Sequence, residues 1–152
     1  MKSFLKLAAM MAIVASLTTG CASIQRGDPL RSAEIKKFNQ KVDTAQIYVC
    51  RNGSIFGMGM RPHIEINNNP LATIATSTYA YTELPAGSYR IVAKTPEHES
   101  VMEIKLAGGE QKFFQTWVVP GVLAGRGVID EIKAEEGKEC VKNAELVEAV
   151  IN

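Results

Sequence analysis

The side chains able to do chemistry are few and dispersed along the chain. Met58, Met60 and His63 fall within six residues, and two soft thioethers beside an imidazole form a donor set for Cu(I). Methionine is also a filler of irregular gaps, so a loop without metal is the stronger reading. His98 stands in Pro-Glu-His-Glu-Ser with no second ligand at a recognised spacing. A hydrolytic site needs a nucleophile, a base and an orienting group brought together. His63 and His98 are the two histidines and neither lies in a catalytic motif, so the sequence nominates no catalytic residue, no metal site and no cofactor. Glu135-Glu136 reads as a charged turn. Gly121 to Gly127 spells Gly-x-x-x-Gly-x-Gly, but no capped helix follows to complete a phosphate cradle, and a glycine-rich turn is the simpler account.

Two surface features remain. Val122 and Leu123 occupy the tip of an apolar loop that carries one cation, Arg126. Such residues either pack back on the body of the protein, the commoner outcome, or touch a partner or lipid surface. Tyr79, Tyr81 and Tyr89 would offer a face for stacking a sugar if they lay together, although aromatic side chains in strands are usually core or cross-strand partners.

The compartment follows from the leader. Lys2 and Lys6 precede an uncharged apolar run of 11 residues from Leu7 to Leu17, and small residues lead to Cys21. That layout is a secretory signal, and the run is too short for a hydrocarbon core of about 30 Å, which takes about 20 helical residues. Thr18-Thr19-Gly20-Cys21 resembles the lipobox of bacterial lipoproteins, whose processing puts diacylglycerol on the Cys sulfur and leaves that Cys first. The usual Leu three places before the Cys is Thr18 here, with Leu17 one position early. Ordinary cleavage after Ala22 is the competing reading. Lipidation of Cys21 leaves Cys50 and Cys140 as an even pair in an oxidising compartment, and they are expected to form a disulfide. Acyl chains hold a domain at a membrane because each buried CH₂ contributes about 0.8 kcal/mol. Ala22 follows the Cys, which by resemblance to lipoprotein sorting rules implies the outer membrane, facing the periplasm.

Charge narrows the partners. Of 17 basic residues, Lys2 and Lys6 leave with the leader, so 15 remain against 16 acidic ones. A net charge of −1 with scattered cations lacks the positive field that nucleic acid requires.

The expected elements are mostly strands. Residues 44–51 are β-branched and aromatic and end at Asn52-Gly53; further strands are expected over 62–67, 71–76, 101–106, 110–119 and 128–134. Residues 78–84 and 88–94 flank Pro85-Ala86-Gly87, where Pro presets φ and Gly permits φ > 0, and they read as a central hairpin. Arg26-Gly27-Asp28-Pro29 reads as spacer. Ser32 caps a short tether helix whose Ile35, Phe38 and Val42 recur at helical spacing. At the C-terminus Asn143 caps a helix carrying Leu146, Val147, Val150 and Ile151, with an extended run over 145–151 as the alternative. About seven strands with turns every 8 to 12 residues favour a β-sandwich. The expected division is a leader over 1–20, a lipidated tether over 21–43 and one sandwich domain over 44–152.

Five fragments in order carry a family likeness: Ala-Gln-Ile-Tyr-Val-Cys-Arg at 45–51, the turn at Asn67-Asn68-Asn69, Leu-Pro-Ala-Gly-Ser-Tyr-Arg-Ile at 84–91, Ala-Gly-Gly-Glu-Gln-Lys-Phe-Phe at 107–114 and Gly-Val-Leu-Ala-Gly-Arg-Gly at 121–127. Over roughly residues 44 to 147 the chain resembles a family of bacterial lipoprotein domains catalogued as domain of unknown function 2846. The resemblance implies an all-β immunoglobulin-like or carboxypeptidase-regulatory-like sandwich and no established activity. The expectation is a lipid-anchored, non-enzymatic interaction or structural module, bound to the membrane through Cys21 and to an envelope protein. A module for a small ligand, a glycan or copper, is the alternative.

Overall fold

The structure, a computed structural model, describes residues 24–149. The leader, Cys21, Val150 and Ile151 lie outside the described residues. The architecture is an all-β sandwich. Nine strands occur among the described residues: β1 (Ala45–Arg51), β2 (His63–Ile66), β3 (Asn69–Thr73), β4 (Thr78–Leu84), β5 (Gly87–Lys94), β6 (Glu99–Leu106), β7 (Gln111–Pro120), β8 (Gly125–Ile132) and β9 (Glu145–Leu146). Two helices, α1 (Pro29–Ile35) and α2 (Ala134–Lys142), accompany them among the described residues. One sheet has the order β8-β7-β1-β4-β9 and the other β3-β2-β5-β6.

Strand β1 explains the layering. All seven of its residues are buried, and because successive side chains point to opposite faces, it contributes to two cores. Ala45, Ile47 and Val49 face the space between the sheets with Ile64, Ala80, Ile91, Phe114 and Ile129. Tyr48 and Cys50 face outward into a second cluster with Tyr79, Tyr81, Phe113, Val141 and Leu146. The adjacent Phe113 and Phe114 of β7 serve one core each. Their strand runs parallel to β1, and Tyr48 stacks on Phe113 with ring centroids 4.6 Å apart.

The expected hairpin is not formed. β4 pairs with β1 over seven residues, and β5 pairs with β2 and β6 in the other sheet. Pro85 and Ala86 therefore carry the chain from one sheet to the other. Alternation reveals which side chains share a face, but not which strand supplies the hydrogen bonds.

The outer layer differs from expectation at both termini. Helix α1 is capped by Asp28, whose carboxylate accepts from Leu30 N at 2.8 Å, with Pro29 in the first turn; the four residues read as spacer thus end in a helix start. Ser32 lies inside the helix, and its hydroxyl meets the Tyr79 hydroxyl at 2.8 Å. The helix expected after Asn143 lies before it, with Asn143 at its C-terminal cap. Glu135 and Glu136, read as a turn, occupy the first turn of α2, where carboxylates complement the helix dipole. Residues Glu145–Leu146 are extended beside β4. Cys140 of α2 is bridged to Cys50 of β1, with Cα atoms 6.2 Å apart and a sequence separation of 90.

Of the stretch expected as a tether, residues 25–38 are held against the domain, while Val42 is 86% exposed. Gly27 N donates to Leu146 O at 2.9 Å and Glu148 N to Gln25 O at 3.0 Å, while Arg26 pairs with Glu145. Lys36 Nζ reaches Ala144 O at 2.7 Å and Lys142 O at 3.1 Å, at the carbonyl end of α2. Ile35 and Phe38 then cover the second core.

Candidate functional site

At the end of the sandwich where β1 and β7 finish, two loops lie side by side. One spans residues 52–62 between β1 and β2, and the other residues 121–124 between β7 and β8. Among the described residues eight large apolar side chains are exposed, and five of them are here: Ile55, Phe56, Met58, Val122 and Leu123. Val122 is 93% and Leu123 94% exposed. Protein, lipid and ligand contacts use exposed apolar concentrations of this kind, whereas single exposed apolar residues are ordinary.

Each loop is held by one charged side chain acting on backbone. Arg51, the last residue of β1, is 2% exposed. Its guanidinium donates from Nη1 to Met60 O at 2.6 Å and from Nη2 to Gly57 O at 2.7 Å. Burial draws its pKa below the usual guanidinium value. Gly57 is needed at this contact: its φ is +66°, and a Cβ there would lie 2.7 Å from Val118 Cβ.

The other loop is held by an anion. Glu97, in the connection between β5 and β6, accepts from Val122 N at 2.6 Å through Oε1, and from Leu123 N at 2.9 Å and Ala124 N at 2.5 Å through Oε2. The amides of Val122 and Ala124, with smaller help from Leu123 and from Arg126, hold its carboxyl below the ordinary carboxylate range. With the loop's amides turned inward, Val122 and Leu123 do not pack back on the sandwich. Gly121 permits the approach, since a Cβ there would sit 2.3 Å from Glu97 Oε1 and 2.1 Å from Ala124 O.

The loops share a base. Val118 of β7 lies against Gly57 and Gly125, and Met60 Cγ is 3.7 Å from the Cβ position of Gly125. Thr95 Oγ1 accepts from Gly127 N at 3.3 Å. Arg126 is exposed on the flank and acts electrostatically on the Glu97 carboxylate.

The other nominated residues do not converge. Met58 is exposed, Met60 serves through its carbonyl, and His63 Nδ1 meets Thr73 Oγ1 at 2.8 Å. Among the described residues no group of three or more His, Cys, Asp or Glu is placed to hold a metal ion. Tyr79 and Tyr81 are interior, while Tyr89 is on the other sheet, its hydroxyl donating to Pro85 O at 3.0 Å. Burial pushes the Tyr48 phenol up to about 12 and raises those of Tyr79 and Tyr81, so these tyrosines are neutral core groups. The sequence nominates Val122, Leu123 and Arg126 as candidate contacts; it does not nominate Arg51, Glu97, Ile55 or Phe56, which the structure places at the same end of the sandwich. For the loop over 52–62 the signal was its glycine and methionine content; for the two charged residues there was none.

A family model described as "Protein of unknown function (DUF2846)" matches residues 41–127. The match includes both loops, Arg51 and Glu97, and leaves out α1, α2 and β9. No curated protein and no solved structure matches the chain.

Proposed function

The chain belongs to the DUF2846 family, and on that premise we propose a lipid-anchored, non-enzymatic envelope module that works by contact through its paired loops. Its N-terminus is Cys21, acylated and held in the outer membrane, with the domain in the periplasm. The observation that carries the reading is the apolar loop end held in place by Arg51 and Glu97. A fold that fixes five exposed apolar side chains at one end keeps an unfavourable surface in water, and a partner that covers this surface supplies the missing burial.

The test uses the full-length protein from its native cells, extracted in mild detergent. Wild type is expected in an assembly larger than the monomer. The double variant Val122→Ser/Leu123→Ser is expected to run at monomer size with unchanged melting. Mass analysis of the same material is expected to find Cys21 as the acylated first residue. Wild type at monomer size overturns the contact role, and a lipid-free or uncleaved N-terminus overturns the anchor.

A further inference from the structure

We infer that Asn52-Gly53, the joint between β1 and the loop that follows it, modifies itself: the Asn52 side chain loses ammonia to attack by the Gly53 amide, and position 52 becomes aspartate or isoaspartate. The only other reactant is water.

The chemistry balances without any oxidation. The Gly53 nitrogen gives up its proton to solvent base and attacks Asn52 Cγ. The new N–C bond closes a succinimide ring, and the side-chain nitrogen leaves with a proton from solvent as ammonia. Water then opens the ring at either carbonyl. Opening at Cγ restores the ordinary main chain with an aspartate side chain. Opening at the main-chain carbonyl leaves the chain running through Cγ, as isoaspartate. Each product is the starting protein plus water minus ammonia.

The fold leaves this attack open at 52 and closes it elsewhere. Asn52 and Gly53 are both exposed, just past Arg51, the last residue of β1, which is paired with Thr78. Among the described residues neither the Asn52 side chain nor the Gly53 N–H has a hydrogen-bond partner, and glycine has no Cβ to shield its nitrogen. Glycine is needed at 53 for closeness, since a Cβ there would lie 3.0 Å from Ser77 Oγ in the turn before β4. The reactive pair therefore comes with the packing. Asn67 Oδ1, by contrast, accepts from Arg90 N at 2.8 Å, and Asn68 Oδ1 accepts from Arg90 Nη1 at 3.5 Å. Asn69 is followed by Pro70, which has no N–H to react. After Asn143 the Ala144 amide donates to Val141 O at 3.2 Å, and Asn39 is followed by Gln40, whose side chain shields the nitrogen.

The position gives the change a mechanical consequence. Arg51 holds the Gly57 carbonyl at 2.7 Å, and position 52 lies on the chain between them. Isoaspartate inserts one more C–C bond there, about 1.5 Å long, whereas such hydrogen bonds tolerate a spread of only about 0.5 Å. Conversion thus loosens the grip of Arg51, and Ile55, Phe56 and Met58 are less firmly placed in an aged molecule than in a new one.

The experiment incubates full-length protein from its native cells at neutral pH in heavy-oxygen water, folded and, in parallel, unfolded in urea, and follows each asparagine peptide by mass spectrometry. Heavy oxygen is expected to enter at 52, faster as pH rises. The folded rate should be within about tenfold of the unfolded one, less than about 1.4 kcal/mol of added barrier, while Asn67 and Asn68 stay intact in the folded protein. Amide exchange over residues 55–60 should quicken at least about fivefold on conversion, the worth of one ordinary hydrogen bond. Asn52→Gln, whose longer side chain closes the larger ring poorly, should show neither change. Folded protein that keeps Asn52 beyond the tenfold margin, or that converts Asn67 or Asn68 as fast, overturns the site. Conversion at 52 with unchanged exchange over 55–60 overturns the effect on the loop.

Discussion

The outer core and the loop end of this sandwich are held by opposite means. In the outer core Tyr48 and Phe113 stack, Phe38 packs over both with centroids 5.6 and 6.1 Å away, and Cys50–Cys140 ties strand to helix. Its side chains do the holding. In the loop end, the side chains that hold are one cation and one anion, and both act on main-chain atoms. Fixing a loop through its backbone leaves its own side chains unspent, and they are the apolar ones. The difference separates a region held by side-chain packing and a covalent tie from one whose backbone is held while its side chains stay exposed.

Four measurements break or sharpen that contrast. Replacing both Cys50 and Cys140 by Ala is expected to cost about 4 kcal/mol in urea unfolding, from the entropy of a chain loop of this length. A loss under about 1 kcal/mol would show that the outer core stands without its covalent tie. Arg51→Met removes the guanidinium donors of Gly57 O and Met60 O, leaving Gly57 O only the Met60 amide at 3.0 Å, and is expected to cost about 1–3 kcal/mol. Hydrogen exchange should speed up in residues 55–60 before the rest of the sheet; uniform speeding would make Arg51 part of the common core.

Glu97 gives a pH signature. Its carboxyl is held below the ordinary range in the folded protein, so the anchoring of residues 122–124 is complete above the ordinary carboxylate value. It is lost as pH falls through the lower, folded value. Amide exchange at 122–124, corrected for intrinsic pH dependence, is expected to show this release in wild type and not in Glu97→Gln. Equal behaviour of the two would remove the carboxylate from the account. The smallest effect is expected for Val122→Ser/Leu123→Ser, within about 0.5 kcal/mol of wild type in unfolding, because nothing in the fold leans on those side chains.

Legibility in the sequence follows the same division. β1 was readable because its residues are β-branched and aromatic, and a chain neighbour decided nothing about it. The pairing of β4 and β5 was not, since a short Pro-Ala link serves a hairpin and a crossing between sheets equally well. Helix α2 was hidden because its inward face is Gly137, Cys140 and Val141, too small a stripe to show a helical period. Gly137 is there for closeness: a Cβ would lie 2.3 Å from Phe113 Cβ. In the loop end Val122 and Leu123 were visible as a patch of composition. Glu97 was not, because its three donors are 25 to 27 residues away and one carboxylate among 16 acidic residues carries no mark.

The strip of chain from Gln25 to Gly27 has one more effect. It lies along β9, the border of the larger sheet, and takes up the main-chain groups of Leu146 and Glu148. A border with vacant groups of this kind recruits strands from other molecules. A shortened protein beginning at residue 44 would bare that border together with the aromatic floor under Phe38, and sheet-to-sheet polymerisation is its expected fate. The smallest piece that stays soluble thus begins ahead of Gln25, and the residues that look like a leash are the selvedge of the fabric.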